Sequence, residues 1–130
     1  MRIPELYITS SSLHGRGVFT GVAISQDSLI EVCPVLVLPA EDMKAIQSTK
    51  LYDYYFEWGE ENNQPAIALG HGSIYNHSYE PNARYLVDFE METISYYAIR
   101  EIEAGEEITV NYLGRPSEKG KVWFKDQNIK

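Results

Sequence analysis

Hydrophobic and polar positions along this chain alternate in short runs. Glycine, proline and polar clusters cut those runs apart, and most of the pieces read as strands. Leu6 to Thr9 fits a first strand. Gly15-Arg16-Gly17 reads as a turn, after which Val18-Phe19-Thr20 is extended again. Leu29 to Leu38 is a long run rich in valine and leucine, and Pro34 inside it predicts an edge, a bulge or a break. Pro39 to Ser48 is the best helix candidate. Pro39 suits its start, Glu41 and Asp42 favour the N-terminal end of the dipole, and Met43 with Ile46 gives an i,i+3 stripe. Leu51 to Trp58 is aromatic-rich and fits helix or strand, whereas Ala66 to Leu69 fits a short strand. Tyr85, Val87 and Phe89 alternate with Arg84, Leu86 and Asp88; Ile94, Tyr96 and Ala98 alternate with Ser95, Tyr97 and Ile99. Glu90 to Glu92 between them predicts a hairpin. A glycine turn within Glu101 to Glu106 precedes a strand from Glu107 to Asn111. Leu113 to Gly120 is polar, and Val122-Trp123-Phe124 returns to apolar. The pattern is mainly β, with one or two short helices, no repeat and no linker.

Composition narrows the classes. A chain of 130 residues suits one domain, and a 44% hydrophobic share is enough for a core. Ten tyrosines, apolar in body and polar at the tip, suit a wet cleft as well as an interior. The net charge of −8 has the wrong sign for direct nucleic-acid binding and favours a basic partner through long-range steering. Cys33 is the single cysteine, which excludes an intrachain disulfide and a cysteine zinc cluster. His14, His71 and His77 lack close ligand spacing, so no metal is expected. The N-terminus has no apolar signal region and no stretch is long enough to span a bilayer, so the expectation is an intracellular protein without a membrane partner. It would be cytoplasmic, or nuclear in a eukaryotic source or host. Self-association into a homodimer is left open.

Taken singly, the motifs say little. Gly15-Arg16-Gly17 would cradle a phosphate only before a helix, and a β-like segment follows it. Asn76-His77-Ser78 fits a glycosylation sequon, but nothing supplies a secretory route. Ser78 beside His77 is not a nucleophile and its base, because chain neighbours rarely orient that way. The ordered set is more specific. Gly15-Arg16-Gly17-Val18-Phe19 is followed by Gly70-x-Gly72-Ser73-Ile74-Tyr75-Asn76-His77-Ser78-x-x-Pro81-Asn82-Ala83, then by Ala104-Gly105-Glu106-Glu107-Ile108-Thr109-Val110-Asn111-Tyr112.

That set resembles the SET-domain protein lysine methyltransferases, and among them looks most like the compact viral histone methyltransferase, a minimal chain without cysteine-rich flanks. The likeness runs from about Ser11 to Tyr112. It implies a SET-domain fold of several small β-sheets, short helices and a C-terminal pseudoknot. Residues 1–112 would form the core and 113–130 a short post-SET-like tail. It implies transfer of a methyl group from S-adenosylmethionine to a lysine amine in a basic protein or peptide, a histone tail or similar. The cofactor would be held by Arg16, Gly17, Asn76, His77, Tyr112 and Trp123. Tyr112, Tyr54 and Tyr85 would be catalytic, and Tyr54, Tyr85, Val110 and Phe124 would line the substrate channel. Tyrosines answer a physical need: a lysine has a pKa near 10.4, so deprotonating it at pH 7 costs roughly 4–5 kcal/mol. A nearby cation and a desolvating aromatic channel both lower that pKa.

The sequence departs from the family pattern in places. Ser73 stands where many members carry arginine, Tyr79 where cysteine is common, and Asn111 where aspartate is usual. Trp123 and Phe124 are the candidates to close the channel. Val110 in place of a common aromatic, with Tyr85 nearby, implies limited methylation, one or two methyls. The alternative is a catalytically silent SET-fold module that binds basic segments.

Overall fold

A computed structural model describes residues 1–117 and Lys119. Its strands are β1 (Leu6–Ser10), β2 (Arg16–Thr20), β3 (Leu29–Val37), β4 (Phe56–Trp58), β5 (Gln64–Ala68), β6 (Asn76–His77), β7 (Ala83–Asp88), β8 (Thr93–Ala98) and β9 (Glu107–Val110). Between β3 and β4, a 3-10 turn at Ala40–Asp42 leads into α1 (Met43–Gln47), and a second follows at Lys50–Asp53. The strands form two sheets, ordered β1-β2-β9-β6 and β4-β5-β3-β8-β7.

The five-stranded sheet follows the period-two pattern. Tyr85 pairs with Tyr96, Val87 with Ile94 and Ala83 with Ala98 across the β7–β8 hairpin. Ile94, Tyr96 and Ala98 are buried together with Ile30, Cys33, Ala66 and Ala68. The edge, bulge or break expected at Pro34 is not a break, since β3 runs on through it, and the register shift lies earlier, between Leu29 and Glu31. Pro34 sits where the strand changes partner, since pairing with β8 ends there and pairing with β5 starts at Val35. A residue without an N–H is tolerated at such a changeover.

The expected helix Pro39–Ser48 is shorter than its pattern suggests, a 3-10 turn and five α-helical residues. Ile46 is the one buried residue of α1, so there is little apolar face to extend. Leu51 to Trp58 divides, with a 3-10 turn first and then β4.

The other sheet joins the two ends of the chain. β2 pairs antiparallel with β9, and β6 pairs parallel with it, Asn76 to Thr109 and His77 to Val110. Asn82 locks this seam. It is buried, its Oδ1 accepts from the Thr109 N–H (2.9 Å) and its Nδ2 donates to the Glu107 carbonyl (2.8 Å). One side-chain amide thus does for β9 what a neighbouring strand would do.

Candidate active site

Tyr112 lies two residues beyond β9, and its place follows from the seam. Its N–H donates to His77 Nδ1 (3.0 Å), and its hydroxyl donates to the Tyr75 carbonyl over a short distance. The ring is thereby held at both ends. It borders three spaces at once, a polar cleft, a narrow slot and a wide groove.

The polar cleft is lined by His14, Arg16, Asp53, Tyr54, Ile74, Asn76, His77 and Tyr112. The slot is walled by Tyr54, Tyr55, Phe56, Tyr75, Tyr96, Val110 and Tyr112, with Asp53, Gly72 and Ser73. The groove is lined by Phe56, Glu57, Asn62, Tyr85, Val87, Phe89, Tyr112 and Leu113. Tyr54 is shared by cleft and slot, and Phe56 by slot and groove.

The polar atoms of the cleft wall are arranged by β2 and β9. Asn76 Nδ2 lies 2.9 Å from the His14 carbonyl, 3.0 Å from the Arg16 carbonyl and 2.8 Å from Glu107 Oε2. Ser11 Oγ donates to the other Glu107 oxygen (2.6 Å). Gly17 is buried and does not line the cleft; a Cβ there would collide with the Glu107 carboxylate. Its bare backbone makes room for the contact that ties the Gly15–Gly17 segment to Asn76. Arg16 does line the cleft.

Burial sets the protonation states. His77 is lowered from 6.5 to about 4 by desolvation, so the ring is neutral near pH 7. Its Nδ1 accepts, so the proton is on Nε2, which is buried and has no partner among the described residues. Burial raises Tyr85 to about 12 and pushes Tyr112 up as well. Both are donors at neutral pH, and Tyr85 donates to the Tyr112 carbonyl (3.2 Å). Neither phenol is a base there.

Among the predicted site residues, Arg16, Tyr54, Asn76, His77, Val110 and Tyr112 share the cleft and slot, and Tyr85 meets Tyr112 in the groove. Trp123 and Phe124 lie outside the described residues. Ser73 donates to the Ala68 carbonyl (2.8 Å), so the cleft's guanidinium comes from Arg16. Sequence reasoning missed His14, Asp53, Tyr75, Tyr96 and Glu107. For Asp53 and Tyr75 a signal existed, since each adjoins a residue singled out for the site. For Glu107 and Tyr96 there was none beyond a strand pattern. No cluster of potential metal ligands occurs among the described residues, and no helix there is long and apolar enough to cross a membrane.

The slot shares Tyr54 and Tyr112 with the polar cleft and Phe56 and Tyr112 with the groove, so one ring faces both a small-molecule side and a wider side. The SET-domain family matches residues 15–113, and the chain belongs to that family. It is 36% identical, over 98% of its length and 84% of the relative's, to a Schizosaccharomyces pombe histone-lysine N-methyltransferase specific for H3 lysine-37. Its fold matches the crystal structure of a candidate histone methyltransferase from Plasmodium falciparum, with a TM-score of 0.69, 31% identity, and 93% and 97% of the two chains covered. It also matches part of the Chaetomium thermophilum Polycomb Repressive Complex 2, with a TM-score of 0.70 at 18% identity, over 82% of this chain and 14% of that one, a likeness of fold alone. These relatives come from fungi and a protozoan, and the likeness to a viral member finds no support in them.

Proposed function

We propose that this protein methylates a lysine side chain of a histone or histone-like protein, using S-adenosylmethionine. One observation carries the reading: Tyr112 stands at the junction of polar cleft, aromatic slot and wide groove. A two-substrate reaction needs such a junction, because the two molecules must meet from opposite sides with water kept out.

The cleft's chemistry suits the cofactor. An amino-acid tail needs a cation for its carboxylate and an anion for its amine, and Arg16 and Asp53 are both in the wall. His77 keeps one buried donor unmet. Arg16, Asn76, His77 and Tyr112, with His14, Asp53 and Tyr54, would hold the group. When bound, it supplies an activated methyl on a positively charged sulfonium.

The chain's own residues then act on the lysine. The slot walls of Tyr54, Tyr55, Phe56 and Tyr96 disfavour the ammonium by desolvation, which lowers its pKa so that it gives up its proton to solvent and enters as the neutral amine with a free lone pair. The Tyr112 hydroxyl and the Tyr75 carbonyl are fixed oxygens at the slot, placed to hold partly positive C–H groups. Val110 is buried at the slot, and Tyr85, tied to the Tyr112 carbonyl, narrows its groove side. We propose one or two methyls as the product. We also propose that the tail from residue 113, with Trp123 and Phe124, closes the site, and that the protein works inside the cell, in the nucleus of a eukaryote.

The test is incubation with labelled S-adenosylmethionine and histone H3 peptides, with Tyr112→Phe beside it. The variant should lose about 10²- to 10³-fold in rate, the scale for removing one preorganised polar group at a reacting centre, with cofactor affinity within a few-fold. Cofactor binding without transfer to any lysine would favour a silent binding module.

A further inference from the structure

The carbonyl that receives the Tyr112 hydroxyl belongs to Tyr75, whose side chain is buried in the core behind the slot. It is 1% exposed and stacks on Tyr96 with ring centroids 4.2 Å apart. Its hydroxyl donates to Glu31 Oε1 (2.7 Å). Glu31 is itself 2% exposed, in the middle of an otherwise apolar strand. Its Oε2 accepts from the His71 N–H (3.1 Å) and lies 3.6 Å from the Arg2 guanidinium. Gly70, at φ +63°, leaves the space this carboxylate fills, for a Cβ there would collide with it.

A buried carboxylate costs several kcal/mol of desolvation, and an apolar residue of similar volume would often be neutral or better. Nothing in the proposed chemistry touches Glu31. What it does hold is the residue immediately before β6, whose carbonyl meets Tyr112. Burial and Glu31 push the Tyr75 phenol far above its usual range, so it stays a donor at any working pH. The result is a continuous series from the exposed N-terminal segment to the slot: Arg2, Glu31, Tyr75, Tyr112.

We propose that Glu31 is a positioning residue for methyl transfer, acting through the Tyr75 hydroxyl to fix the Tyr75 carbonyl beneath the Tyr112 hydroxyl, with Arg2 balancing its charge. The proposal rests on the methyltransferase reading of the slot. A carbonyl released from this anchor leaves Tyr112 misplaced by a fraction of an ångström, and displacements of about 1 Å can cost 10²-fold in rate.

The test pairs a spectroscopic readout with a kinetic one. Tyrosines carrying ¹³C at Cζ report each phenol's surroundings, and Tyr112→Phe identifies the Tyr112 signal. Tyr75→Phe and Glu31→Gln should both move that signal. In single turnovers at saturating cofactor and peptide, Tyr75→Phe should slow the rate about tenfold, with both dissociation constants within about twofold. Adding Glu31→Gln to Tyr75→Phe should cost little more, because the second change acts through a hydroxyl already gone. Independent, additive losses would mean a structural role only, and an unmoved Tyr112 signal or an unchanged rate would overturn the proposal. Should Tyr75→Phe fail to fold, Arg2→Gln, at a half-exposed side chain, should move the same signal and slow the rate about threefold. No change in either would be equally decisive. If the signal moves as expected but the native protein transfers no methyl to any lysine, the methyltransferase reading fails while the anchoring stands.

Discussion

His77 shows how one side chain can serve as both strut and sensor. Its Nδ1 must stay unprotonated to accept from the Tyr112 N–H, and burial enforces that by lowering its pKa to about 4. The unfolded chain has no such constraint and titrates near 6.5. Above about pH 6.5 both states are neutral, and the residue adds no pH dependence. Between about 6.5 and 4 the unfolded state binds a proton that the folded state refuses, so stability falls as pH falls. The expected slope from this residue is about 1.4 kcal/mol per pH unit in that window. Urea unfolding at stepped pH should show it in the native protein, while His77→Asn, which keeps an acceptor but cannot titrate there, should be flatter by that amount. Parallel slopes for the two proteins would remove His77 as the source. Resemblance pointed to this residue from the sequence, but its tautomer and its unmet Nε2 come only from the three-dimensional packing.

The elements that build the site differ in how far they could be read beforehand. The β7–β8 hairpin was legible because six residues on each strand repeat with period two and a polar turn divides them. The β6–β9 pair was not, since a two-residue strand has no period, and its partner lies more than thirty positions away. Asn82 likewise reads as a loop residue after proline, although it is buried and bonded to β9 through both side-chain atoms. Glu31 offered no warning, because a lone acid in the run Leu29 to Val37 looks like the solvent face of a strand. Since Asn82 stands in for a missing strand, Asn82→Ala should strand the Thr109 N–H and the Glu107 carbonyl together. Each unsatisfied buried group costs about 1–3 kcal/mol, so the loss should be about 2–6 kcal/mol. Denaturant melts would give the magnitude, and amide exchange would place it: Thr109 should lose more protection than β7 or β8. A uniform loss across the molecule would mean that Asn82 is only one more core contact.

At the scale of the whole molecule, charge and site geometry bear on the same event. The chain carries −8, and Glu57 lines the groove that leads to Tyr112. Glu60, Glu61, Glu90 and Glu92, on the two loops flanking that groove's residues, and Asp88 at the end of β7 are exposed. Such charges are solvated and add little to stability, since exposed ion pairs are typically worth about 0–1 kcal/mol. Their effect is on encounter: a negative surface draws a basic peptide toward the groove and raises its association rate. Salt shortens the reach of that field, with a Debye length of about 10 Å at 0.1 M and about 3 Å at 1 M. The kcat/KM for a lysine-rich peptide should therefore fall several-fold to tenfold between low salt and about 0.5 M, while kcat holds, because the slot around Tyr112 is shielded by burial and screened far less. Glu60→Lys with Glu61→Lys should reproduce much of that loss at low salt and flatten the salt dependence, leaving the rate at saturating peptide unchanged. If kcat fell with salt while kcat/KM did not, the acidity would be acting on chemistry or fold rather than on capture of the substrate.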